Sequence, residues 1–338
     1  MISLGDVKIE IPVFLAPMSG STDAPFRRQA SRFGAPVVVT EMIAGEELAR
    51  GRKDMVRRLA MHDESQLFVV QLAGRDENWM RESARLVRGA GADVIDINMG
   101  CPSRHVTGGQ SGSALMRDLN LARRLIRATV EGAEGPVTVK MRLGWDEENQ
   151  NAPELAQIAQ EEGCVMVTVH GRTRCQFYNG EADWEAVRKV CESTFLPVIV
   201  NGDISSTHSA REALAVSGAA GVMIGRAAMG RSWLIGQIAT ELSGKRFEQP
   251  SAETQIHSLI QQLTDSVDLY GEFVGVKTFR KHLAAYIDRL EWGSNASTDR
   301  RVLRREMCRI DSAHSLHERL LDLLNLQVSS REAEQFAC

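Results

Sequence analysis

Eight short apolar runs, rich in β-branched residues and closed by glycine, proline or a polar side chain, recur along the first two-thirds of the chain. They cover residues 13–17, 37–40, 67–71, 94–98, 137–141, 165–170, 198–201 and 222–224. Each is short and mostly apolar, which is the pattern of parallel strands buried on both faces. Amphipathic segments of helical length lie between them, among them 77–89, 119–131, 153–162, 184–191 and 206–216. Strand–helix alternation of this kind predicts an α/β chain closed into a (β/α)8 TIM barrel. An open doubly wound sheet is the competing arrangement. The strand count, and polar residues at so many different strand ends, favour the barrel.

Those strand ends are Met18-Ser19-Gly20, Glu41, Gln71, Asn98 to Cys101, Lys140 with Arg142, His170 with Arg172, Asn201-Gly202-Asp203, and Gly225-Arg226. In a barrel all of them open on one face, where active sites lie. Beyond Arg226 the strand runs stop and helical periodicity takes over. Ile256, Leu259, Ile260 and Leu263 form one stripe, and Leu283, Tyr286, Ile287 and Leu290 another. The expected organisation is a barrel domain over 1–245 and a helical domain over 246–338, with a frayed tail after Gln327.

Composition changes little in this picture. The 338 residues match a barrel of ~250 residues with a smaller domain appended. A net charge of −4 and a pI near 6.1 argue against wholesale coating of nucleic acid, while leaving room for a local basic patch. The N-terminus has no signal-peptide pattern, and no apolar run approaches a membrane span. The six cysteines (101, 164, 175, 191, 308 and 338) lack zinc-site spacing and fit reduced thiols of a cytoplasmic protein.

The strand ends carry the chemistry. Asn201-Gly202-Asp203 and Gly225-Arg226 end the seventh and eighth strands, where barrels often bind phosphate. Glycine admits a close backbone approach there, and Arg226 adds charge-assisted bonds. Lys140 at a barrel mouth could serve as a Schiff-base nucleophile, a phosphate contact or a donor to a cofactor ring. Gln71 both donates and accepts, which suits the edge of a heterocycle. Ala16-Pro17-Met18 offers an apolar floor for a ring. His170 could be an acid or base, a cofactor partner or a satisfied barrel histidine. Arg172 and Arg174 would attract a polyanion. There is no GxGxxG or Walker A sequence, and no spacing that would hold a metal. Flavin mononucleotide (FMN) fits this set, with its phosphate at the last two glycine turns, its ring over Pro17-Met18, and Gln71 and Lys140 at its edge. Cys101, on the glycine-rich loop that follows Asn98, is a candidate reactive thiol rather than packing material.

Taken together, APMSGSTDAPFR, VVTEM, VVQLAG, DVIDINMGCPSRHVTGGQSGSALM, VTVKMRLGW, VTVHGRTR, PVIVNGDI, GVMIGRAAMGRSW and FRKHLAAY resemble the tRNA-dihydrouridine synthases, the bacterial B-type subgroup in particular. The resemblance implies reduction of C5=C6 of a D-loop uridine in tRNA, with FMN as cofactor and NADPH as reductant. It implies that Ala16, Pro17, Met18, Gln71, Lys140, His170, Asn201, Gly202, Asp203, Gly225 and Arg226 hold FMN. Cys101 would then be the general acid, protonating C5 as hydride reaches C6 from the opposite face, and Asn98 would contact the uracil edge. A thiol suits that role, because it stays mostly protonated at cellular pH yet can release its proton as enolate-like charge develops. Two stretches depart from the family pattern: Gly108-Gly109 after the cysteine, and Ala284-Ala285 where an aromatic is common.

Between residues 277 and 309 there are nine Lys/Arg against four Asp/Glu. Arg280 and Lys281 are the expected tRNA contacts there, together with Arg172 and Arg174 at the mouth. Arg280, Lys281 and His282 are consecutive and so cannot share one helix face. Two alternatives remain open at this stage. One is another FMN-barrel reductase, and the other is a flavin-bearing RNA-binding protein without turnover.

Overall fold

The computed structural model describes residues 1–60, 67–290 and 299–335, with side chains to residue 326. Cys338 and residues 291–298 of the basic stretch lie outside the described residues. The described chain divides into two compact units, one of residues 1–227 and 234–246, the other of 228–233 and 247–338.

The first unit opens with an antiparallel hairpin, β1 (Ile2–Leu4) and β2 (Val7–Ile9). The strands that follow are β3 (Val13–Leu15), β4 (Val37–Val39), β5 (Ile43–Ala44), β6 (Phe68–Ala73), β7 (Val94–Met99), β8 (Val137–Arg142), β9 (Met166–His170), β10 (Val198–Asn201) and β11 (Gly221–Ile224). β3 pairs with β4 and β4 with β6. Pairing then continues in order to β11, which returns to β3. Every one of these pairings is parallel, so eight strands close a barrel. β5 is a two-residue extension beside the end of β6.

Barrel strands are buried almost without interruption, which explains why the runs in the sequence are mostly apolar. The hairpin is an element that the hydrophobic pattern does not single out. Its Ile2, Leu4 and Ile9 pack with Phe14, Val37, Val94, Met166 and Met223, residues at or near the strand starts, and so close the N-terminal end of the barrel.

Helices Ala24–Arg32, Glu77–Gly89, Leu119–Ala133, Ala152–Glu161, Trp184–Ser193, Thr207–Ser217 and Leu234–Leu242 surround the strands. Asp23, Asp76, Asp118, Asp183 and Ser206 each accept a backbone N–H at a helix start. Such caps contribute ~1 kcal/mol apiece and fix where loops end and helices begin. Helix Leu119–Ala133 meets helix Glu77–Gly89 through Gly132, where a Cβ would lie 2.2 Å from the Arg81 carbonyl oxygen.

The second unit contains helices Ala252–Tyr270, Glu272–Ile287, Arg300–Met307 and Ala313–Gln335. Ile256, Leu259 and Leu263 of the first stripe are buried, as are all four members of the second. The last helix continues to Gln335, past the expected fraying point at Gln327. No described helix is long and apolar enough to cross a membrane.

Candidate active site at the C-terminal mouth of the barrel

β7 ends in Asn98, and the chain then turns through Gly100 and Cys101. Asn98 Oδ1 accepts the backbone N–H groups of Cys101 (3.0 Å) and Gly100 (3.3 Å). The Cys101 carbonyl accepts from the backbone N–H (3.1 Å) and the hydroxyl (2.8 Å) of Ser113. Gly112, at φ +63°, presses on the same turn, since a Cβ there would sit 2.9 Å from the Cys101 oxygen. Arg142 Nε donates to the Gly100 carbonyl (2.9 Å), while its Nη1 donates to those of Thr173 and Phe177 (2.8 Å each). The thiol therefore stands on a turn whose backbone is fixed from three sides, and Cys101 itself is half-buried.

Beneath it lies a buried polar layer. Asn98 Nδ2 donates to Gln71 Oε1 (2.7 Å), and Gln71 Nε2 donates to Asp96 Oδ2 (2.7 Å). Thr138 Oγ1 donates to Asp96 Oδ1 (2.6 Å). Gln71 is 0% exposed, so it supports the mouth from below rather than forming its rim.

Across the mouth Lys140 Nζ donates to Asn201 Oδ1 (3.0 Å), and Asn201 Nδ2 donates to the Met223 carbonyl (2.8 Å). The Lys140 ammonium is pushed down to about 8 by burial first and by the Arg142 charge second, with Asp96 and Cys101 opposing. His170 is held well below its ordinary value by burial and then by the charges of Lys140, Arg142, Arg172 and Arg226, so it is neutral. Arg172 Nη1 lies 3.4 Å from His170 Nε2. An arginine only donates, which assigns the ring proton to Nδ1.

Asn201, Gly202 and Asp203 form the turn after β10. Gly202 has φ +120°, and a Cβ there would sit 2.9 Å from His170 Cδ2. At Gly225 a Cβ would lie 3.5 Å from Met18 Sδ and 3.7 Å from Ala16 Cβ, so these residues meet at one apolar shelf with Pro17 between them in the chain. Tyr178, 50% exposed, has Arg226 4.7 Å and Arg142 5.5 Å from its ring centre. Arg174 lies between Trp145 (4.6 Å) and Phe177 (4.8 Å).

The family model described as dihydrouridine synthase matches residues 14–327. The chain belongs to this family. A probable tRNA-dihydrouridine synthase of Rickettsia conorii is 48% identical over 288 residues, covering 85% of this chain and 87% of its own length. The tRNA-dihydrouridine synthase B of Xanthomonas axonopodis pv. citri is 40% identical over 286 residues, covering 84% and 86%. Among solved structures, histamine dehydrogenase from Rhizobium sp. 4-9 superposes with a TM-score of 0.55 at 15% identity, over 78% of this chain and 50% of that one. A morphinone reductase variant in complex with tetrahydroNAD gives 0.51 at 14% identity, over 75% and 92%. At such identities the likeness is one of fold.

Two of the arginines expected to contact substrate are engaged with other residues of the chain. Arg172, expected to attract substrate, is 1% exposed. It donates to both oxygens of Asp203 (3.0 and 2.5 Å) and to the carbonyls of Asn179 (3.1 Å) and Gly180 (2.6 Å). A guanidinium so fully engaged braces the loops after β9 and β10 and has no donor to offer outward. Burial raises the Asp203 carboxyl, but the Arg172 bonds and the Ala182 N–H outweigh this and leave it below the ordinary carboxylate value. Arg280, expected on tRNA, donates to the Ile310 carbonyl (2.9 Å) and to Asp311 (2.5 Å). Its neighbour Lys281 is exposed.

Sequence reasoning passes over Asp96, Thr138, Trp145 and Tyr178. For Asp96 a signal existed: an acid in the middle of an apolar strand must find partners.

The folded Lys140 value of about 8 lies below its ordinary 10.5. The unfolded chain therefore holds this proton more tightly. The half-buried, desolvated ammonium destabilises the fold at pH below 8, and that penalty fades as pH rises from 8 towards 10.5. Lys140→Met is accordingly expected to raise the melting temperature of the flavin-free protein at pH 7. A lower melting temperature would contradict the buried-cation account.

Proposed function

We propose that the chain reduces the C5=C6 bond of a D-loop uridine in tRNA to 5,6-dihydrouridine, with FMN as cofactor, NADPH as reductant and Cys101 as general acid. The observation that carries this reading is the immobilised Cys101 turn, which shares one barrel mouth with a neutral histidine, a half-buried lysine and two glycine turns. The residues suit a flavin. Gly225 leaves the Met18–Ala16 shelf open to a ring, where a side chain would fill it. Arg226 has a 57% exposed side chain, held by a 3.5 Å contact to Asp203 and by the Tyr178 ring, and suits a phosphate. In this reading Ala16, Pro17, Met18, Lys140, His170, Asn201, Gly202, Asp203, Gly225 and Arg226 surround the cofactor, and Gln71 supports it from below.

When bound and reduced, FMN supplies the hydride that adds to C6 of uracil. Cys101 holds the proton for C5 and releases it as charge develops there. Asn98 anchors the pyrimidine edge one strand-end away. Lys140 supplies positive charge at the cofactor edge, and the neutral His170 offers Nδ1–H. The residues of 1–245 would thus form the FMN-binding domain. Those of 246–338 would form the tRNA-binding domain of a cytoplasmic enzyme, with Lys281 among its contacts, and Arg174 would add a contact from the barrel mouth.

The reading is tested with the purified protein. It should be yellow, be bleached by NADPH, and recover its colour when uridine-containing tRNA transcript is added. Protein that takes up no FMN, or that reoxidises no faster with tRNA, refutes it.

Arg300, Arg301, Arg304 and Arg305 are all exposed on one short helix, and Arg304 is paired with Asp288 at 2.9 Å. Arg301 and Arg305 lie one turn apart and share a face. Replacing both with alanine is expected to weaken tRNA binding and flatten its salt dependence by ~0.7–0.9 log units per lost phosphate contact. An unchanged slope would place tRNA elsewhere.

A further inference from the structure

The buried layer beneath Cys101 is a chain of hydrogen bonds with a single direction. The N–H groups of Gly100 and Cys101 donate to Asn98 Oδ1, Asn98 Nδ2 donates to Gln71, and Gln71 Nε2 donates to Asp96. Thr138 donates to the other carboxylate oxygen of Asp96. The two ends of a carboxamide match in shape but differ in chemistry, so turning either amide over would set donor against donor. The end groups hold the direction. A backbone N–H can only donate, and a carboxylate only accepts.

This direction decides what Asn98 shows to a substrate. Its oxygen already carries two N–H groups, while Nδ2 has one hydrogen beyond the bond to Gln71. Asn98 is 7% exposed and Gln71 is 0% exposed, so Asn98 is the member of the pair within reach of a substrate, and the hydrogen-bonding capacity it has left is that N–H. A donor there fits a carbonyl oxygen. It conflicts with an exocyclic amine, which also donates. Uracil carries a carbonyl at C4 where cytosine carries an amine.

We propose that Asp96 is the positioning residue of the pocket: as terminal acceptor it fixes the direction of the chain, keeps Asn98 a donor, and so makes the site select a pyrimidine carbonyl over an exocyclic amine. This rests on the reading of the mouth as a uridine-reducing site. It also accounts for an acid in the middle of a barrel strand, 3% exposed and away from the reacting atoms. Burial raises the Asp96 carboxyl to about 6, with Thr138, Gln71 and Lys140 opposing, so at neutral pH it is the acceptor-only anion.

The test compares flavin-loaded wild type, Asp96→Leu and Asp96→Asn. UMP and CMP serve as probes, with binding followed by flavin absorbance and by thermal shift. Flavin reduction by NADPH and the KM and kcat for tRNA are measured on the same samples. The wild type should bind UMP about tenfold to a hundredfold more tightly than CMP, the range expected for leaving a donor unpaired. In Asp96→Leu that ratio should fall towards unity and KM should rise, while NADPH still reduces the flavin at the wild-type rate. Asp96→Asn should restore the ratio, because its oxygen can face Gln71 while its amide faces Thr138, whose hydroxyl then accepts.

An unchanged ratio in Asp96→Leu overturns the proposal. So does an equal loss in Asp96→Asn, which would make charge, not direction, the role of Asp96. Should Asp96→Leu fail to fold or to load flavin, Gln71→Met carries the test by cutting the link between Asp96 and Asn98. A reduced ratio there supports the proposal and an unchanged one overturns it. A wild type that shows no tRNA-dependent reoxidation refutes the uridine-reducing reading itself. A wild type that reoxidises with tRNA but binds UMP and CMP alike refutes only the role of Asp96.

Discussion

Cys101→Ala is expected to take up flavin and accept electrons from NADPH as the wild type does, yet to reduce uridine about 10²–10⁴-fold more slowly, the usual loss for a missing general acid. The separation follows from the geometry. Cys101 contributes only backbone atoms to the bonds that hold its turn: its N–H donates to Asn98 Oδ1 and its carbonyl accepts from Ser113. Alanine keeps all of them and deletes only the thiol. NADPH oxidation by the flavin needs no proton at C5 of uracil, so the first half of the reaction is spared. Rapid mixing of the NADPH-reduced variant with tRNA measures the second half alone. Reoxidation at the wild-type rate would remove Cys101 from the chemistry.

Arg172→Met is expected to lower stability by about 3 kcal/mol, the scale on which removing one partner of a buried ion pair acts. For a unit of this size that corresponds to a fall of ~6–12 °C in melting temperature. Its guanidinium holds the Asp203 carboxylate and the carbonyls of Asn179 and Gly180, and all of them lose a donor. Arg226→Met offers the contrast. Its side chain is 57% exposed, so its loss should leave the melting temperature unchanged and weaken flavin binding. Thermal melts of the two flavin-free variants decide between bracing and substrate contact. An Arg172→Met protein that melts like the wild type but binds tRNA with a shallower salt slope would return Arg172 to the substrate surface.

The barrel was legible because its signal is local. Runs such as Val198–Asn201, apolar until a polar terminus, mark a strand and its mouth together. The hairpin Ile2–Leu4 and Val7–Ile9 was not legible, because two three-residue strands carry too little periodicity to register. Within the site, Lys140, Asn201, Gly202 and Gly225 stood out as polar or glycine residues where an apolar run ends. What one residue does for another is a matter of three dimensions. Arg172 and Arg174, two positions apart, read alike as attractors of anions. One is buried against Asp203 and the other lies between Trp145 and Phe177. Asp96 and Thr138 meet only because β7 and β8 are paired in that register. No spacing within either strand announces the contact.

The central claim is the reaction on tRNA, and mapping dihydrouridine in tRNA tests it most directly. Total tRNA is prepared from cells lacking the gene, from the same cells carrying it, and from cells carrying Cys101→Ala. The account predicts that at least one D-loop position is plain uridine without the gene, dihydrouridine with it, and uridine again with the variant. Unchanged dihydrouridine at every D-loop position in all three would contradict it.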